Sequence, residues 1–121
     1  MTEQDWARPV VFFEIRGRDA ARLQQFYAEL FNWKIAVNEA ISYALIEPGV
    51  GGPEPGVGGG LGHSETPGVS IFVQVRDLRE TLEKAVRLGG EKTRDPLDIP
   101  GGPTIAQIRD PEGNLIGLVQ Q

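Results

Sequence analysis

Residues 10–16 read Val-Val-Phe-Phe-Glu-Ile-Arg, with Val11, Phe13 and Ile15 on one face and Phe12, Glu14 and Arg16 on the other. This period-two alternation of β-branched and aromatic residues predicts a strand. Asp19 follows as an N-cap, because its carboxylate can accept from the free N–H groups of a helix's first turn. Leu23, Phe26, Tyr27 and Leu30 recur at helical spacing, so a helix is predicted that ends near Phe31–Asn32. Strands are then expected over Trp33–Asn38 and Ile41–Glu47, joined by a turn at Asn38-Glu39-Ala40, with a short one at Val57–Gly62.

The same order recurs further on. Val69–Val75 alternates again, with Ile71, Val73 and Val75 opposite Ser70, Phe72 and Gln74. Asp77 caps a second helix with Leu78, Leu82, Ala85 and Val86 inward, and Gly89-Gly90 supplies its left-handed stop. A short strand near Glu91–Arg94, a loop over Asp95–Gly102 and a strand over Thr104–Arg109 follow. Asp110-Pro111-Glu112-Gly113-Asn114 is a turn, Pro presetting φ and Gly accepting a positive φ, and Leu115–Val119 closes the chain.

The two halves align without a gap: Val11 with Val69, Arg18-Asp19 with Arg76-Asp77, Leu30 with Leu88, Gly59 with Gly117. Each half reads β-α-β-β-β. One such unit leaves an apolar sheet face and open edges, so it needs a partner. The expectation is an α+β fold: two tandem modules forming a curved mixed sheet, with the helices on its outer face. The modules are placed at about 8–62 and 67–121 of a single domain. A Gly/Pro-rich connection at about 48–68 holds nine of the 16 glycines, and mobile loop is its simplest reading.

Composition removes several function classes. There is no Cys and only one His, His63, so thiolate chemistry and multi-imidazole metal sites are excluded within one chain. A net charge of −5 without a basic run argues against nucleic acid. No apolar run approaches the ~20 residues that span a bilayer, and the N-terminus lacks a signal-peptide core. A cytoplasmic protein is expected.

With these residues in place, the chain resembles the vicinal-oxygen-chelate superfamily, which includes glyoxalase I, bleomycin-resistance proteins and extradiol dioxygenases. The resemblance is carried by Val-Val-Phe-Phe-Glu-Ile, by Phe-Tyr-Ala-Glu-Leu-Phe-Asn-Trp (26–33), by 69–78 and by 105–118 with its Asp-Pro-Glu-Gly-Asn turn. It spans essentially Val10 to Gln120. It implies a site on the concave sheet face, a metal held from the first and last strand of each module, and a homodimer. The implied metal positions are Phe12, Gly59, Ser70 and Gly117, with a one-residue slip to Gly60 allowed at the glycine-rich strand. Phe and Gly have no ligand atom and Ser is a poor one for a divalent ion, so no metal and no other cofactor is expected. Gly59 and Gly117 are read as symmetry mates that open space inside the sheet.

The expected function is metal-free binding of a small organic ligand in the concave cleft between the modules. Phe12, Glu14, Arg16, Tyr43, Ser70, Phe72, Gln74, Gln107 and Gly117 are the candidate ligand residues. Glu14 is also the candidate general base, because a carboxylate beside Phe12 would sit in an apolar trough. Against that stands a simple pairing of Glu14 with Arg16. The alternative function is a lyase or isomerase of the glyoxalase type, using Glu14, Glu47 or His63. His63, in a polar loop beside Glu65, reads as solvated, and Tyr27, Phe31 and Trp33 read as packing residues.

Overall fold

The computed structural model describes residues 5–49, 54 and 56–120, so part of the Gly/Pro-rich connection and the first four residues lie outside it. Among the described residues, two helices and eight strands follow the order the periodicity predicts, and the class is α+β. Two units are distinguished: residues 11–71, and residues 72–120 together with 5–10.

The first unit holds β1 (Val10–Gly17), α1 (Ala20–Phe31), β2 (Ile35–Asn38), β3 (Tyr43–Ile46) and β4 (Gly59–His63), with the start of β5 (Gly68–Gln74). Its strands lie in the order β2-β3-β4-β1, antiparallel except for the parallel pair β1–β4. A parallel pair needs a long crossover, and α1 with the β2–β3 hairpin is that crossover. Asp19 caps α1 by accepting from the Arg22 N–H at 3.1 Å, and Asn32 ends it in the left-handed region.

Ala44, Ile46 and Leu61 are the buried centre of this unit, packed by Phe13, Ile15, Leu23, Tyr27, Trp33 and Ile35. Trp33 stacks on Tyr27 at 5.2 Å and meets Phe13 at 5.6 Å. The apolar stripe predicted for α1 is wider than the one buried. Leu23 and Tyr27 face the core, whereas Phe26 and Leu30 are 55 % and 59 % exposed. Phe26 lies edge-on against Tyr27 and gains its contact there instead.

The second unit repeats the plan with α2 (Leu78–Arg87), β6 (Glu91–Asp98), β7 (Thr104–Arg109) and β8 (Leu115–Gln120), in the order β5-β8-β7-β6. Its first and last strands again pair in parallel. Asp77 caps α2 through the Glu80 N–H at 3.1 Å. Val75, Leu78, Leu82, Ala106 and Leu118 form the core, while Val86, expected inside, is exposed.

β6 also departs from expectation. The loop predicted to begin at Asp95 begins four residues later, at Ile99, because β7 continues to pair as far as Asp98, across register shifts on either side of Arg94. The 110–114 turn is as predicted: Asp110 accepts from the Glu112 and Asn114 N–H groups at 2.9 Å, and Gly113 takes φ 92°.

Residues 5–10 run along the second unit, a feature that periodicity did not suggest. The Pro9 carbonyl accepts from the Gln74 N–H at 2.9 Å. Asp5 joins Arg8 at 2.7 Å to Arg76 at 3.0 Å, and both guanidinium groups lie over Trp6.

Candidate functional site

Alternation along β1 sends Phe13 and Ile15 under α1 and leaves Phe12, Glu14 and Arg16 on the other face. Four of the sequence-predicted residues meet there. Glu14 Oε1 accepts from Arg16 Nη1 at 3.1 Å, and Glu14 Oε2 accepts from the Tyr43 hydroxyl at 2.8 Å. The same Arg16 nitrogen donates to Ser70 Oγ at 3.0 Å. The Glu14 and Arg16 side chains are only 15 % and 18 % exposed, and Ser70 is buried at 5 %. Phe12 is half-buried on the same face.

The glycine-rich strand makes this cluster possible. Glycine weakens a strand and is kept where something must approach the backbone closely. A Cβ at Gly60 would fall inside the Tyr43 ring edge, far under the 3.0 Å that real Cβ atoms respect. One at Gly62 would lie 3.2 Å from the same ring, and one at Gly68 would lie 2.6 Å from Arg16 Nη2. The bare backbone of β4 is therefore a floor on which Tyr43 lies flat, its hydroxyl delivered to Glu14.

Gly59 belongs to the opposite face, which corrects its reading as the mate of Gly117. It pairs with Phe13, and a Cβ there would lie 2.5 Å from that ring, on the α1 side. Gly117 pairs with Phe72, and a Cβ there would stand 2.5 Å from Phe72 Cε2, on the side away from α2. The strand contributes Gly60, one residue on, to the face of Glu14.

Glu14 is not in an apolar trough. An arginine and a phenol occupy its two oxygens, so the pairing with Arg16 is the arrangement found. The consequence falls on Tyr43. Burial first, then the Glu14 charge and hydrogen bond, hold its phenol protonated well above the ordinary 10.0. The cluster is a positioned set of hydrogen-bonding groups rather than an exposed base.

The remaining candidates belong to the second unit. Phe72, Gln74 and Gly117 share the face that α2 does not cover, and Gln107 stands opposite Gly117 in the β7–β8 ladder. No charged group is among them. His63 is exposed, with Nε2 3.8 Å from Glu65, and Glu47 is exposed beyond the end of β3. A surface groove beside α2 is lined by Arg79, Leu82, Val86, Lys92 and Pro96 among others. It gathers no comparable chemistry, and Lys92 is engaged by Asp95 at 2.5 Å.

The implied metal positions do not fit a divalent cation. Phe12, Gly59 and Gly117 carry no donor atom. The Ser70 hydroxyl sits against the Arg16 cation, which would repel a metal ion. Among the described residues no three His, Cys, Asp or Glu side chains gather in a way that could hold one.

A family profile described as "Glyoxalase-like domain" matches residues 11–119. A glyoxylase-like domain-containing protein of Didymella fabae is 29 % identical over 108 residues, covering 84 % of each chain. Among solved structures, a glyoxalase/bleomycin resistance protein/dioxygenase superfamily member from Vibrio splendidus 12B01 superposes with a TM-score of 0.66 at 16 % identity, covering 95 % of this chain and 100 % of that one. A Mn(II)-bound glyoxalase from Novosphingobium aromaticivorans gives 0.65 at 20 % identity, over 94 % of this chain and 40 % of the other.

Proposed function

Because this chain belongs to the glyoxalase-like domain family, we propose that it binds a small organic molecule on the glycine-floored face of its first unit, without a metal ion. Arg16 and Ser70 are the polar contacts, Glu14 and Tyr43 hold Arg16 in place, and Phe12 supplies apolar lining. The observation that carries this reading is the chain of hydrogen bonds Tyr43–Glu14–Arg16–Ser70 on a sheet face that α1 leaves uncovered. Ligand sites are commonly apolar surfaces with a few convergent polar groups of this kind. The lyase or isomerase alternative asks Glu14 to accept a proton, and Glu14 is already engaged by Arg16 and Tyr43.

The test is a thermal-shift screen of small organic compounds carried out in EDTA. Compounds that raise the Tm of the parent protein and fail to raise that of Arg16→Met and Ser70→Ala support the proposal. Hits that vanish in EDTA, or that ignore both substitutions, overturn it.

A further inference from the structure

Arg16 and Glu14 bring one positive and one negative charge together at 3.1 Å, so the cluster is electrically balanced before any ligand arrives. Its hydrogen-bonding capacity is not balanced. Arg16 spends Nη1 on Glu14 and Ser70, and among the described residues its Nη2 and Nε protons have no acceptor. The Ser70 hydroxyl accepts from Arg16, and its own proton has no acceptor among them either, although Ser70 is 5 % exposed. The Tyr43 proton is already given to Glu14, which keeps that carboxylate anchored beside the guanidinium. The unspent groups are thus donors, and they need an oxygen.

We infer that the ligand of this face is an uncharged molecule that presents a carbonyl-type oxygen, as in an amide, ester or ketone, to Arg16 and Ser70. This rests on the ligand-site reading above. A carboxylate drawn to Arg16 meets the repulsion of Glu14 on the same guanidinium, yet still loses its own hydration. A neutral carbonyl satisfies the same donors at a far smaller desolvation cost. The net charge of −5 opposes an incoming anion as well. Gly68 keeps the donor edge clear, since a methyl group there would stand 2.6 Å from Nη2.

The experiment compares benzamide and benzoate, which share a shape and differ in charge. Each is titrated into isotopically labelled protein while the Arg16 Nε–H and Ser70 N–H resonances are followed. Benzamide is expected to shift both, and benzoate to bind at least about tenfold more weakly at equal ionic strength. Glu14→Gln removes the opposing charge and is expected to reverse the preference. Gly68→Ala displaces only the flexible end of Arg16, so it should abolish the benzamide response while the remaining spectrum persists. Benzoate binding at Arg16 as tightly as benzamide overturns the inference and leaves the site standing. If both compounds leave Arg16 and Ser70 unmoved while shifting other residues, the site reading falls and the inference with it. Should Glu14→Gln not fold, the ratio in the unaltered protein decides.

Discussion

Gly60→Ala puts a methyl group where the Tyr43 ring now lies. The new Cβ would overlap the hydroxyl and two ring carbons, and Tyr43 is packed between β4 and Glu14, so it has to tilt off the strand. Overpacking of this kind costs about 1–3 kcal/mol, and losing a hydrogen bond to a charged group adds about 1.5–3 kcal/mol when it is not replaced. Partial relaxation leaves an expected loss of about 2–4 kcal/mol, or roughly 10 °C in Tm for a domain of this size. Thermal and urea unfolding of Gly60→Ala against the parent read this directly. The methyl group should become harmless once the ring is gone. Gly60→Ala in a Tyr43→Ala background is therefore expected to cost at least about 1 kcal/mol less than in the parent. A Gly60→Ala protein within about 2 °C of the parent, or one whose cost is unchanged without Tyr43, would refute the picture of β4 as a floor for that ring.

Tyr43→Phe tests the same contact by pH. The folded phenol stays protonated above the pH where the unfolded one ionises, so its contribution is complete below pH 10 and is lost as pH rises beyond it. The stability difference between parent and Tyr43→Phe should then shrink by about 1.4 kcal/mol per pH unit above pH 10 in urea titrations; a constant difference contradicts the assignment. Asp77→Ala removes the N-cap of α2 and should cost about 1 kcal/mol, read as a lower urea midpoint at unchanged slope; an unchanged midpoint would mean that the Glu80 N–H is satisfied elsewhere.

Much of this was readable from local rules. Asp19, Asp77 and the 110–114 turn act through neighbouring backbone groups, so their sequence context is sufficient. Alternation along β1 also separated Phe13 and Ile15 from Phe12, Glu14 and Arg16, and so put the charged residues on one face. Register was harder. A one-residue difference exchanges the two faces of a strand, and the run Gly58-Gly59-Gly60 offers no side chain to reveal which glycine faces where. Only the ladder with β1 decides that Gly60 opposes Glu14.

The neighbours of Glu14 were half legible. Arg16 is two residues away and was an obvious partner, but Tyr43 reaches it only because β3 pairs with β4 across the glycines. The exposure of Phe26 and Leu30 could not be read either, since helical spacing gives the apolar stripe and not the width of the surface that covers it. The Asp5–Arg8–Arg76 tie over Trp6 joins residues far apart in the chain and carries no periodic signal.

The central claim is a ligand face that works through Arg16 and Ser70 rather than through a metal ion. The most direct measurement is the metal content of the purified protein, paired with its Tm before and after EDTA. The account predicts no stoichiometric divalent ion and an unchanged Tm. One zinc, nickel or manganese ion per chain, removed by EDTA with a fall in Tm, would contradict it.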